Sequence, residues 1–219
     1  METLKREFNK EATKKKFEKV IWIYNFWSWL TESKAAKEVV KIADIKDYQQ
    51  ILEVACGTGV LFEKIVKLNP NGYSTGVDLT SGMIIKAKKR LSKLKNSNYS
   101  FLEGDIFNLN FPNDSFDIII NNFMLDLLPE EAFDKIAEVF FKLLKQNGVV
   151  VISTFSFGQK KINKFWIWIA KRFPDLLIGC RPVSFKKNLI NAGFTIENEI
   201  EISQNTFPSQ IIKAKKLNL

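Results

Sequence analysis

At 219 residues, 46% of them apolar, the chain is long enough to bury the core of one domain. Its two cysteines, Cys56 and Cys180, exclude a disulfide framework and a zinc ligand set, so no metal is expected, and the absence of histidine leaves Asp, Glu, Tyr, Lys or Cys as general bases. The net charge of +9 is spread along the chain and interleaved with acids, so by itself it points neither to nucleic acid nor to anionic lipid.

The opening stretch METLKREFNKEATKKKFEKV mixes charges of both signs without an apolar core, unlike a signal peptide. No apolar run reaches the roughly 18 residues that a bilayer span requires. The expected location is cytoplasmic, with peripheral membrane contact left open. Residues 4–43 read as two helical segments, giving an amino-terminal cap over 1–45. From about residue 49, apolar runs at 50–55, 73–78, 98–102, 116–121 and 148–154 alternate with helical or turn stretches at 59–69, 81–95 and 129–145. This rhythm predicts an α/β fold with a parallel sheet and crossover helices. An aromatic stretch at 162–173, within a cap insertion at about 158–182, is followed by a short helix near 184–192 and β-like runs at 194–202 and 206–214 that pair as an antiparallel edge. The core domain spans 46–219. The Lys-rich stretches at 14–16 and 86–95 read as solvated helix faces.

The string Ile51-Leu52-Glu53-Val54-Ala55-Cys56-Gly57-Thr58-Gly59-Val60-Leu61 places a buried strand, a Gly-X-Gly turn and a helix start in succession. Glycines there tolerate positive φ and let backbone approach a ligand. A dinucleotide fingerprint needs a third glycine three residues on, and Phe62 stands in its place, which favours a cofactor without phosphates. The next strand ends at Asp78, where a carboxylate can accept from both ribose hydroxyls. After the third strand comes Glu103-Gly104-Asp105-Ile106, where Asp105 can accept from an adenine amino group and Ile106 can pack on the ring. Carboxylates at successive strand ends suit a cationic sulfonium nucleoside and would repel a polyphosphate.

At ILEVACGTGVL, GVDLTSGMIIKAKKRL, FLEGDIFNLNFPNDSFDIIINNFMLDLLPE, LLKQNGVVVIS and NLINAGF the chain resembles the class I S-adenosylmethionine (SAM)-dependent methyltransferases, in particular the ubiquinone/menaquinone-biosynthesis type. The resemblance covers about residues 20–214. It implies a Rossmann-like fold: a mostly parallel seven-stranded sheet, an antiparallel carboxyl-terminal edge and helices on both faces. It further implies that Glu53, Ala55, Gly57 and Gly59 line the methionyl part of SAM, with Cys56 and Thr58 in the same loop and Asp78 on ribose. Leu79 and Met83 would pack near adenine, Gly104, Asp105 and Ile106 would hold it, and Asn121 would close the cofactor site. Two departures stand out. Cys56 replaces a common glycine or aspartate and is not expected to be catalytic, and Asp126 occupies a position where many relatives carry histidine.

Methyl transfer from a sulfonium is an in-line displacement, served chiefly by alignment in a dry site. The candidates for removing an acceptor proton are Asp126 and Tyr24. Tyr24, Trp27, Phe123 and Arg181 are the candidate acceptor contacts. All five tryptophans lie in 20–30 and 162–173, segments that by the same resemblance cover the acceptor pocket, so a small, apolar or quinone-like acceptor is expected. The second segment also has the Trp and Lys/Arg content of an interfacial helix. The runner-up acceptor is a phospholipid amine. A nucleic-acid methyltransferase is disfavoured, because Asn121-Asn122-Phe123-Met124 is not the Asp/Asn-Pro-Pro-aromatic motif of base-amino methylation. A non-catalytic SAM-binding protein and a nicotinamide dehydrogenase rank lower still, and the oligomeric state stays open.

Overall fold

Helical and extended segments alternate as their apolar spacing requires. The computed structural model describes residue 31 and residues 33–94, 98–160, 162–177 and 179–217. Its helices are α1 (Ser33–Ala43), α2 (Val60–Leu68), α3 (Ser81–Leu91), α4 (Phe133–Leu143), α5 (Asn163–Arg172) and α6 (Lys186–Asn191), and its strands are β1 (Gln50–Val54), β2 (Tyr73–Asp78), β3 (Tyr99–Glu103), β4 (Phe116–Asn122), β5 (Leu144–Phe155), β6 (Phe194–Gln204) and β7 (Phe207–Lys216). They form a seven-stranded sheet in the order β3-β2-β1-β4-β5-β7-β6. The first five strands run parallel, and β7 pairs antiparallel with both β5 and β6. The expected mostly parallel sheet with an antiparallel carboxyl-terminal edge is therefore the observed one.

Successive residues of the central strands point to opposite faces. Ile51, Ile118, Ile120, Val151 and Ile211 join one core with α1, α2 and part of α3. Leu52, Ile119, Val150, Ile152 and Ile212 join the other, under α4 and α6. A sheet covered on both faces accounts for the continuous apolar runs in its strands. The buried positions Ala35, Ala36, Val39 and Ala43 of α1 recur at helical spacing and pack into the first core. The rest of the expected amino-terminal cap, residues 1–30, lies outside the described residues.

Two boundaries differ from the sequence expectation. The helical or turn stretch expected over 129–145 divides into a 3-10 turn at Glu130–Ala132 and α4, with a further 3-10 turn before it at Leu125–Leu127 and β5 beginning at its end. Pro129 sits between the two turns in an extended conformation, with φ −68° and ψ 152°, and its missing N–H breaks the run. The strand expected at 148–154 begins at Leu144, whose pairing with Phe116 is followed by a register shift before Ile118 meets Val149.

Candidate functional site

Parallel register brings the carboxyl ends of four strands to one edge of the sheet. Val54 pairs with Val77 on one side and with Asn121 on the other, and Asp78 pairs with Glu103. The segments that follow β1, β2, β3 and β4 therefore emerge together, where the strand order reverses between β1 and β4, the usual place for a ligand in such a sheet.

The glycine loop is built from left-handed residues, with φ of 61° at Ala55, 54° at Gly57 and 77° at Gly59. Gly59 opens α2, and a Cβ there would lie 3.0 Å from the Ala87 Cβ of α3. The close helix approach usually served by a third glycine thus falls on Gly59. Phe62 is free to fill the core, fully buried against the rings of Tyr99 and Phe101. The Asp78 Oδ2 accepts the Gly57 N–H at 2.9 Å, and its Oδ1 accepts the Thr80 N–H at 2.9 Å. From α3, the Arg90 Nε donates to the Thr58 carbonyl at 2.9 Å. Arg90 belongs to the Lys-rich stretch read as a solvated face. Lys88 and Lys89 are exposed as expected, but Arg90 turns inward to the loop. Nothing local in the sequence separates it from its neighbours.

Glu53 is 2% exposed, and its Oε2 has no hydrogen-bond partner among the described residues. Burial, and then the Asp78 charge, push its carboxyl well above the ordinary range. Burial also raises Asp78, against the lowering effect of the Thr80 and Gly57 N–H groups. Two nearby acids short of compensation make this end of β1 and β2 a place for a cation. Cys56 is buried, and desolvation followed by the Glu53 and Asp78 charges pushes its thiol up, so it is no thiolate nucleophile. The Asn121 Nδ2 donates to the Val54 carbonyl at 2.9 Å, while its buried Oδ1 has no partner. Beside them, the Gly104 N–H reaches the Asp78 carbonyl at 2.9 Å, and the Asp105 Oδ1 accepts the Phe107 N–H at 3.1 Å. Ile106 and Met83 are buried, and Leu79 is half-buried.

On the other side of β4 the buried packing turns aromatic. Phe123, at φ 54°, lies 6.4 Å from the Phe207 ring. Phe207 stacks on Phe155 at 4.6 Å and meets Trp166 edge-on at 5.3 Å. Asp126 is fully buried, its Oδ2 accepting the Phe155 N–H at 3.0 Å. Arg181, expected near a pocket mouth, is 3% exposed, donates from Nη2 to the Leu128 carbonyl and gives its backbone N–H to the Asp126 carbonyl. Tyr24 and Trp27 lie outside the described residues. Among the described residues, no three His, Cys, Asp or Glu side chains gather as metal ligands.

The family model of the methyltransferase domain matches residues 45–202, which takes in every one of these loops. The chain belongs to the methyltransferase domain family. Among its relatives, it is 31% identical over 152 residues to the malonyl-[acyl-carrier protein] O-methyltransferase of Priestia megaterium, covering 68% of this chain and 53% of that protein. It is 26% identical over 150 residues to the demethylmenaquinone methyltransferase of Listeria monocytogenes, covering 65% of this chain and 61% of that one. The chain spans about half the length of the first curated relatives it matches. Among solved structures, the magnesium protoporphyrin IX methyltransferase of Synechocystis, with bound SAH, shares the fold at a TM-score of 0.73 and 16% identity, over 94% of this chain and 99% of that one.

Proposed function

We propose that the protein transfers the methyl group of SAM to a small, apolar or quinone-like acceptor. The observation that carries this reading is the buried Oε2 of Glu53, without a hydrogen-bond partner among the described residues, beside Asp78 at the carboxyl end of the parallel strands. A buried acid without a partner is costly, and SAM brings two positive charges, an ammonium and a sulfonium. The residues present fit it. Glu53 and the glycine loop would face the methionyl end, Asp78 would accept from ribose hydroxyls, and Asp105 with Ile106, Leu79 and Met83 would border the adenine.

When bound, SAM supplies an electrophilic methyl whose departure leaves a neutral thioether. The chain's own contribution is placement. Asp78 and Arg90 hold the glycine loop by its Gly57 N–H and Thr58 carbonyl, so little ordering remains when the donor binds. Phe123, Phe155, Phe207 and Trp166 form an apolar cluster beside β4 and β5, which on this reading would back the acceptor and keep water from it. Asp126, held on the Phe155 N–H, is assigned to positioning the end of β5. Proton removal, where the acceptor needs it, falls to Tyr24 or to no protein base. The relatives' names span a carrier-protein thioester acid and a quinone precursor, so the aromatic cluster carries the preference for an apolar acceptor.

Titration calorimetry with SAM and with its demethylated product tests the cofactor half, and failure of both to bind overturns it. Incubation with methyl-labelled SAM and a fractionated cell extract tests the acceptor. Label in apolar metabolites supports the proposal, whereas label confined to nucleic acid or polar metabolites counts against it.

A further inference from the structure

Among the described residues, the helix after β5 is anchored on one side. Asn163 is buried and donates from Nδ2 to the Thr206 carbonyl at 2.8 Å, while Trp166 donates from Nε1 to the Thr206 Oγ1 at 2.9 Å. Ala170, also on this side, joins the core. The opposite stripe, Lys164, Phe165, Trp168, Lys171 and Arg172, faces outward, at the spacing of a single helical face. Phe165 is 50% and Trp168 54% exposed, and their rings stack at 6.2 Å. Ile162, Phe173 and Leu176 extend the exposed apolar surface beyond both helix ends.

An exposed patch of this kind marks an interaction surface, and its charge says with what. Residues 160–172 contain five basic side chains, Lys160, Lys161, Lys164, Lys171 and Arg172, and no acid. We propose that the outward face of α5 docks the protein on an anionic lipid surface. Aromatic rings enter the headgroup boundary while flanking cations meet lipid phosphates. No described helix is long and apolar enough to cross a membrane, so α5 lies in the plane of the surface. Its inner face touches the Phe207 cluster through Trp166, the cluster that the proposed function sets beside the acceptor. The docking requires no particular acceptor and goes beyond the methyl-transfer reading.

The test is sedimentation of the full chain, without SAM, with phosphatidylglycerol-containing or pure phosphatidylcholine vesicles, at about 50 mM and about 500 mM salt to vary screening. The expected result is binding to the anionic vesicles at low salt, weakened by salt and by the neutral lipid. Lys164→Gln with Lys171→Gln and Arg172→Gln lowers partitioning on the order of a hundredfold, at about fivefold per basic residue. Phe165→Ser with Trp168→Ser lowers it by at least about tenfold. Lys88→Gln with Lys89→Gln on α3 leaves it within about twofold, since those residues lie outside the docking stripe. Absence of vesicle binding, an equal loss in the α3 variant, or self-association relieved by the Phe165→Ser/Trp168→Ser change each overturns the proposal. Because no donor is present, none of these outcomes bears on methyl transfer.

Discussion

The Asp78 carboxylate at the end of β2 accepts the backbone N–H of Gly57 in the loop after β1, at 2.9 Å. The acid that sequence spacing assigns to a ribose therefore also sets the loop that would hold the methionyl end. Asp78→Asn keeps the size but turns an NH2 donor toward one of the two backbone N–H groups that the carboxylate accepts, leaving that N–H without its acceptor. Its expected effect is SAM binding weaker by about tenfold to a hundredfold, with stability lower by about 1–3 kcal/mol. Calorimetry and thermal unfolding read the two effects separately.

Arg90 holds the same loop from the other side through the Thr58 carbonyl. It is half-buried, so Arg90→Ala should leave the melting temperature nearly unchanged while raising the Kd for SAM several-fold. Arg90→Lys should not restore binding, since lysine has no planar Nε donor to aim at the carbonyl. Glu63→Gln should change little, because the Arg90–Glu63 pair is 3.8 Å apart and partly exposed, worth less than about 1 kcal/mol.

Burial raises the Glu53 carboxyl above its unfolded value, so over a window of pH the folded chain keeps a proton that the unfolded chain has released. Its effect on stability is least adverse at and below the ordinary carboxylate range, and stability declines as pH rises from there through the folded pKa. Glu53→Gln removes that decline and should stabilise the free protein at neutral pH, at about 1.4 kcal/mol per pK unit of the raised shift that neutral pH has crossed. It should also weaken SAM by about tenfold or more, through loss of a charge-assisted contact. Wild-type affinity should strengthen as pH rises through the same window, with proton release on binding. Calorimetry in buffers of different ionisation enthalpy checks this, and pH-independent binding would refute it.

Ala55 holds φ at 61° in the turn out of β1. Ala55→Gly should fall within about 1 kcal/mol of wild type, since relief of strain offsets added unfolded-chain freedom. Ala55→Val should cost about 1–3 kcal/mol, because a β-branched residue resists that region. Chemical denaturation compares them.

Asp126→Ala leaves the buried Phe155 N–H without its acceptor and should cost about 1–3 kcal/mol. Asp126→Asn, which still offers a carbonyl oxygen, should recover most of that loss. If the role is positioning, it also keeps turnover on an identified acceptor within a few-fold, as steady-state kinetics would show.

The features legible in the sequence share a short range. The glycine loop, the acids after β2 and β3 and the run of alternating elements each depend on residues within a turn or two of one another. Parallel pairing turns that order into a site almost automatically, by aligning strand ends. Long-range partners were not legible. Phe62 reads as a missing glycine, yet it fills the core between Tyr99 and Phe101, while Gly59 takes the close approach to Ala87. Arg90 reads as one more solvated cation beside Lys88 and Lys89.

By itself the sequence determined the fold class, the candidate residues for the cofactor and the lack of any histidine to serve as a base, because these follow from local patterning and residue inventory. Only the tertiary structure decided which charges are used inside. Lys216 is buried, with Nζ donating to the Leu144 carbonyl and to Asp114, 102 positions away. Glu53 and Asp78 are both assigned to the cofactor by the resemblance, yet the fold treats their carboxylates differently. One is left without a partner at Oε2 among the described residues, and the other is tied to two backbone N–H groups. Burial and hydrogen bonding set the free energy of a charge, and both depend on what the folded chain brings beside it.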